Sequence, residues 1–319
     1  MAAPTHTVQK QILQKKPLSR RLREHWQLYL FLLLPIVYLI IFSYVPMAGL
    51  QIAFKKFNIS GGIWGSPWVG LAQFQKFFSS YQFTRTITNT LTLSLYGLIA
   101  GFPLPILLAL LLNSLRSQRY KKVVQTVTYL PYFISTVVLV GILTQVLNPR
   151  TGLLANFYHL CIGSGEFPNI MASPSAFPHL YVWSGVWQSM GYNSIIYIAA
   201  LAGVDPELHE AAQIDGAGRW KRVLHIDLPT IIPTASILLI MSAGRIMNVG
   251  FEKAYLMQNN LNLSASEVIS TYVYKVGLAA SVQDFSYATA IDLFNSVINM
   301  VLMLLVNGLT SKMSQESLF

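Results

Sequence analysis

Six stretches of this chain contain no Asp, Glu, Lys or Arg: Trp26 to Phe54, Thr86 to Leu115, Val123 to Pro149, Phe167 to Val204, Leu228 to Gly244 and Leu293 to Ser311. A helix needs about 20 apolar residues to cross the hydrocarbon core of a bilayer, and most of these runs are long enough. Inside lipid every backbone polar group must find its partner within the protein, so such runs fold as helices. The expectation is an all-α polytopic membrane protein with six transmembrane helices. Composition agrees, because only 11% of the residues are charged where a soluble domain carries about 25%.

Positive residues near span ends favour the cytoplasmic side. Lys10, Lys15, Lys16, Arg20, Arg21 and Arg23 precede the first run, and Arg116, Arg119, Lys121 and Lys122 fill the short gap after the second. Placing both groups inside also puts Arg219, Lys221, Arg222 and Lys312 inside, 14 of the 22 basic residues. Both termini are then cytoplasmic, with external segments near 46 to 85, 148 to 178 and 251 to 285. A long polar start precedes the first apolar run, which reads as a retained span rather than a cleaved signal. The expected organisation is a cytoplasmic basic segment over 1–27, a six-helix transmembrane domain over 28–309 with a cytoplasmic loop at 204–228, and a tail over 310–319.

A net charge of +10 would suggest nucleic acid for a soluble chain, but sidedness in a membrane accounts for it and no nucleic-acid partner is expected. The single cysteine, Cys161, excludes an intramolecular disulfide and a cysteine-based zinc cage. Pro35, Pro103, Pro105, Pro131 and Pro233 fall inside the apolar runs, where each removes a backbone donor and can bend a helix. Such bends either shape the bundle alone or line a substrate path.

The loop from Val204 to Leu228 is the most informative stretch. Asp205 suits a helix N-cap, Pro206 its first turn and Gly216 a left-handed stop, which predicts a helix of about ten residues. Alone in water so short a helix is marginal. Leu208, Ala211, Ala212 and Asp215 recur at spacings of three and four, with Glu207 and Glu210 beside them, as in a helix laid in a partner's groove. The segment from Arg219 to Pro229 mixes basic and apolar residues and reads as an interfacial helix.

Glu210-Ala211-Ala212, three residues, Gly216, nine residues, Ile226, one residue and Leu228-Pro229 resemble the coupling-loop signature of the membrane subunits of binding-protein-dependent ABC importers. The resemblance implies the type I importer permease fold, with Glu207, Glu210, Ala211, Ala212, Asp215, Gly216, Ala217, Ile226, Leu228 and Pro229 forming the coupling region. Tyr44 to Met47, Ile52 to Lys55, Gly65 to Leu71 and Tyr129 to Ser135 are similar to the carbohydrate-uptake branch, whose permeases carry oligosaccharides and polysaccharides, alginate among them. The partners it implies are a second, distinct permease chain, two ATP-hydrolysing subunits and an extracytoplasmic solute-binding protein, in a bacterial cytoplasmic (inner) membrane.

The chain has no phosphate loop of the form Gly-x-x-x-x-Gly-Lys-[Ser/Thr], so ATP and magnesium are expected in partner subunits and no cofactor or metal in this chain. No catalytic constellation is evident, and no enzyme activity is expected. Polar and aromatic residues at membrane depth either contact substrate or only hold the bundle together. They are Trp183, Trp187, Gln188, Tyr192, Asn193 and Tyr197 in span four, Arg245 inside span five near its outer face, Asn248 just beyond it, and Asp292, Asn295 and Asn299 in span six. Arg245 either pairs with Asp292 or snorkels toward an anionic sugar. The rival to an ATP-driven importer is a secondary transporter, which would need intramembrane acids, and Asp292 alone is available.

Overall fold

The computed structural model describes residues 24, 26–115, 117–162 and 165–314. The basic cluster from Lys10 to Arg23, Arg116 and the last five residues of the expected tail lie outside the described residues. Among the described residues every regular element is helical, and one antiparallel bridge joins Lys55 to Trp68. The chain divides into two compact units, 1–51 and 52–319. The first contains helix α1 (Trp26–Leu39), with Pro35 inside it, continued by a wider π turn over Ile40–Tyr44.

The second unit is a helical bundle. Helices α2 (Tyr81–Gly101) and α3 (Pro103–Asn113) form one continuous 33-residue apolar rod. Pro103 does not stop it, because a proline in the first turn of a helical segment lacks only a donor that would be unsatisfied there. Helices α4 (Gln118–Tyr129) and α5 (Thr136–Val146) follow. The run from Val123 to Pro149, expected to be one span, is bent by 97° between them. Pro131 enters a tight 3₁₀ turn over Leu130–Phe133, and Ser135 then caps α5 by accepting the Val138 N–H at 3.3 Å.

Helix α6 (Phe177–Leu201) has 25 residues, about 37 Å of rise. It is nonetheless too polar to rank among the apolar spans, carrying His179, Gln188, Asn193 and three serines. Helix α7 (Pro206–Ile214) is the short loop helix, and α8 (Leu228–Ala243), α9 (Phe251–Met257) and α10 (Phe285–Ser314) complete the main elements. The stretch expected as a separate interfacial helix, 219–229, runs straight into α8 through a π turn at Val223–Asp227, giving one 25-residue rod from Arg219 to Ala243. Pro229 permits this because it lies in the first turn of α8. Among the described residues four helices are therefore long and apolar enough to cross a membrane, five if the bent α4–α5 pair counts as one.

Helix α6 is the hub, packing against α2, α3, α4 and α8. Phe177 joins Leu93, Val140 and Met257 in one apolar cluster, while Tyr197 and Leu201 join Ala109 and Ile231 in another. Between them α6 meets α4 backbone to backbone: a Cβ placed on Gly191 would overlap the carbonyl of Thr128. Without a hydrophobic force between helices in lipid, such close approach is the main source of packing attraction. The Tyr81 end of the bundle is tied by Glu267, only 3% exposed, with Lys275 Nζ at 3.0 Å and Arg85 Nη1 at 3.6 Å. Nearby, Lys253 of α9 donates to the Tyr181 carbonyl of α6 at 2.8 Å, and burial pushes its ammonium down to about 8 from the usual 10.5.

Two outcomes follow from this packing. Gly191→Ala should lower stability in detergent by about 1–3 kcal/mol, read as a fall in melting temperature. Gly141→Ala, whose added methyl meets nothing within 4 Å, should leave it unchanged or slightly raised. Lys253 binds fewer protons folded than unfolded between about 8 and 10.5, so its contribution makes stability climb as pH rises through that window. Across that window the melting temperature of Lys253→Met should accordingly gain less, or lose more, with rising pH than that of the parent, and equal slopes would show that this lysine is not desolvated.

Candidate functional site

The local chemistry of α7 follows its sequence closely. Asp205 is extended, and its carboxylate accepts the Glu207 N–H at 3.0 Å. This satisfies one of the donors that every helix start leaves open. At the other end Gly216 takes φ +75°, and the Ala217 N–H reaches back to the Ala212 carbonyl at 2.8 Å. That positive φ favours glycine and stops the helix. The result is nine residues held between two well-made ends.

Helix α7 buries little of itself. Leu208 is 54% and Ile214 87% exposed, and Ala211 and Asp215 are exposed with them. Glu207, Glu210 and Asp215 have carboxylates with no partner among the described residues. Ala212 departs from the expected face: it is half-buried with His209 on the side toward the bundle. Ile214, which the sequence reading passed over, completes an apolar stripe with Leu208 and Ala211 at steps of three. That spacing was the available signal. Ala217 is half-buried, while Ile226, Leu228 and Pro229 shape the entry into α8, with Leu228 packed against the Tyr197–Ile231 cluster.

On the inner side of α7, His209 Nε2 lies 3.2 Å from Asp227 Oδ1. Asn113 Nδ2, from the end of α3, donates to the same oxygen at 3.3 Å. Asp227 is 3% exposed. A cleft of 410 Å³ adjoins this contact, with Arg219, Arg222 and Gln213 on its walls.

A larger cleft of 690 Å³ runs between α2, α6 and α8, lined by Gly97, Gly101, Ser189, Tyr192, Asn193 and Tyr197. It shares Gly97, Leu98 and Ser242 with a smaller one of 260 Å³, where Ser94, Tyr181, Arg245 and Asn248 stand. The two clefts thus adjoin beside α6, a lined passage in two parts. Tyr192 is stacked on Tyr132 of the 3₁₀ turn, with centroids 3.8 Å apart and planes 5° from parallel.

Of the expected path residues, Tyr192, Asn193, Tyr197, Arg245 and Asn248 line this passage. Trp183 and Trp187 are half exposed and do not line it, and the Trp183 indole donates to the Tyr96 hydroxyl at 2.7 Å. Gln188 donates to the Ile134 carbonyl at 2.7 Å, closing a backbone acceptor that the α4–α5 bend leaves open. Asn295 and Asn299 are buried and hold the bundle: both donate to Asn248 Oδ1, at 3.2 and 3.3 Å, and Asn299 accepts the Met247 N–H at 2.9 Å. Arg245 and Asp292 do not pair. Asp292 is exposed on α10 beside buried Ile291, whereas Arg245 sits in the turn after α8 facing the passage, with no ion-pair or hydrogen-bond partner for its guanidinium among the described residues.

Residues 101–315 match the family described as the binding-protein-dependent transport system inner membrane component. The chain is 40% identical to the protein LplB of Bacillus subtilis (strain 168), over 93% of this chain and 92% of that one. It is 39% identical to the polygalacturonan/rhamnogalacturonan transport system permease protein YteP of the same organism, over 96% and 94%. A solved bacterial ABC transporter involved in the import of the acidic polysaccharide alginate contains a chain of the same fold, with a TM-score of 0.86 and 39% identity over 93% of this chain and 99% of that one. A second structure holds the alginate transporter in complex with an alginate pentasaccharide-bound periplasmic protein, also at TM-score 0.86 and 39% identity, over 94% and 99%. This chain belongs to the inner membrane components of binding-protein-dependent transport systems, a family of multi-pass transport permeases.

Proposed function

We propose that this chain is one of two permease subunits of an ATP-driven importer for an acidic oligo- or polysaccharide, and that α7 is the handle by which an ATPase subunit moves it. The observation that carries the reading is the unpartnered face of α7, an apolar stripe rimmed by free carboxylates. Such a face suits a groove with a basic wall. ATP and magnesium would be held by two partner ATPase subunits, and a solute-binding protein would deliver the saccharide to the opposite side of the membrane. The permease mate would be a distinct chain.

In this reading α6 is a sixth span. Its polarity is supported by its position among four other helices, since polar side chains at membrane depth turn toward protein or water. Six spans place both termini and α7 in the cytoplasm and the Tyr81 end outside. The passage beside α6 would be this chain's half of the path, where Tyr192 offers a ring face for sugar C–H groups and Asn193 and Asn248 offer amides for hydroxyls. Arg245 supplies the preference for an acidic sugar, as a guanidinium is suited to a carboxylate. The acidic polysaccharides in the descriptions of two of its relatives support that choice.

Ala211→Trp should cost the purified complex its ATPase subunits and reduce uptake about tenfold or more, the equivalent of ~1.4 kcal/mol of docking energy. Unchanged co-purification with full uptake would sink the role given to α7. Arg245→Gln should weaken stimulation of ATPase by a saturated uronate oligosaccharide about tenfold or more, the usual range for a lost charge-assisted hydrogen bond. Equal loss with a neutral oligosaccharide would mean that Arg245 does not read charge.

A further inference from the structure

Helix α7 is joined to the bundle by two soft covalent links. Gly203 precedes it, and Gly216 and Gly218 follow it, Gly216 at φ +75°. Rotation about glycine is cheap, so a push delivered only through these links would swivel the helix and be lost. A third link is present on the inner face, where His209 meets Asp227. Asp227 is the last residue before Leu228, the start of α8, and its Oδ1 also receives the side chain of Asn113, the last residue of α3.

We propose that Asp227 and His209 are the positioning residues of the coupling linkage, a clasp that converts displacement of α7 into joint displacement of the ends of α3 and α8. This rests on the reading of α7 as the ATPase contact. A carboxylate that is 3% exposed is costly to leave unpartnered. Its partners therefore follow it, or it follows them, through any movement that keeps the site closed to water. His209 can donate through Nε2 whether neutral or protonated, so the contact needs no particular charge state. The adjoining 410 Å³ cleft leaves room for the shift, and Arg222, whose Nε has no partner among the described residues, lines it. Asn113 makes the difference between a hinge and a clasp, because it brings a second rod to the same oxygen.

The test uses the whole transporter in proteoliposomes with its binding protein and saccharide, measuring saccharide moved per ATP hydrolysed. His209→Leu should lower that ratio about tenfold, the effect of one hydrogen bond to a charged group, while the ATPase subunits still co-purify in full. His209→Gln, whose amide can donate, should recover most of it. His209→Leu combined with Asp227→Leu should be no worse than the poorer single variant, as expected for residues acting as one unit. A normal ratio in His209→Leu, no recovery in His209→Gln, or single losses that multiply in the double variant would overturn the clasp. Should Asp227→Leu not assemble, the two His209 variants decide the matter alone, since that side chain is only half-buried. A wild-type chain that co-purifies with no ATPase would instead overturn the importer assignment.

Discussion

Helix α6 carries His179, Gln188, Asn193 and three serines over 25 residues, more polarity than a helix facing lipid sustains. That constraint orders the bundle around it. Polar groups in a membrane protein's helix need protein or water beside them, and α2, α3, α4 and α8 all pack on α6. Small residues make the approach possible: Gly191 lets the Thr128 backbone touch the helix directly, and Gly101 lies against Val186. The side of α6 not sealed by neighbours opens onto the passage with Tyr192 and Asn193. Packing hub and cleft wall are thus one helix, and a change that loosens the first deforms the second.

How much of this could be read from the sequence depends on how local the physics was. The ends of α7 were legible because a cap and a left-handed glycine act within three residues of themselves. Asp205 and Gly216 stand where they were expected. The bend between α4 and α5 was not legible. Pro131 permits it, but Pro103 and Pro233 lie in unbroken rods, and the difference is set by what packs around each, including the Gln188 amide that meets the freed Ile134 carbonyl. The run from Arg219 shows the same limit: its mix of charged and apolar residues marked a helix before the span, but not that a π turn would carry it into α8 without a break.

The path residues divide along similar lines. Sequence alone left substrate contact and bundle locking open for each polar residue. Asn295 and Asn299 prove to serve the turn after α8, where Met247 and Asn248 would otherwise leave backbone and amide groups unmet. Arg245 and Asp292 seemed comparable in depth, but depth along a helix says nothing of azimuth. Asp292 lies on an exposed side of α10 next to buried Ile291, and Arg245 belongs to a turn rather than a helix face. Asp227 escaped notice altogether, because a single acid between Ile226 and Leu228 looks like any polar residue at a span end until the fold brings Asn113 and His209 to it.

In the proposed assembly the exposed stripe of Leu208, Ala211 and Ile214 has a cost when no ATPase subunit is present. A short helix displaying bare aliphatic side chains to water is what chaperones and proteases select. An orphan permease would carry its own degradation mark, and docking would hide it. Surplus copies would then be cleared until the membrane holds matched numbers of motor and channel chains, so that the few side chains proposed to pass on force would also balance the inventory of parts.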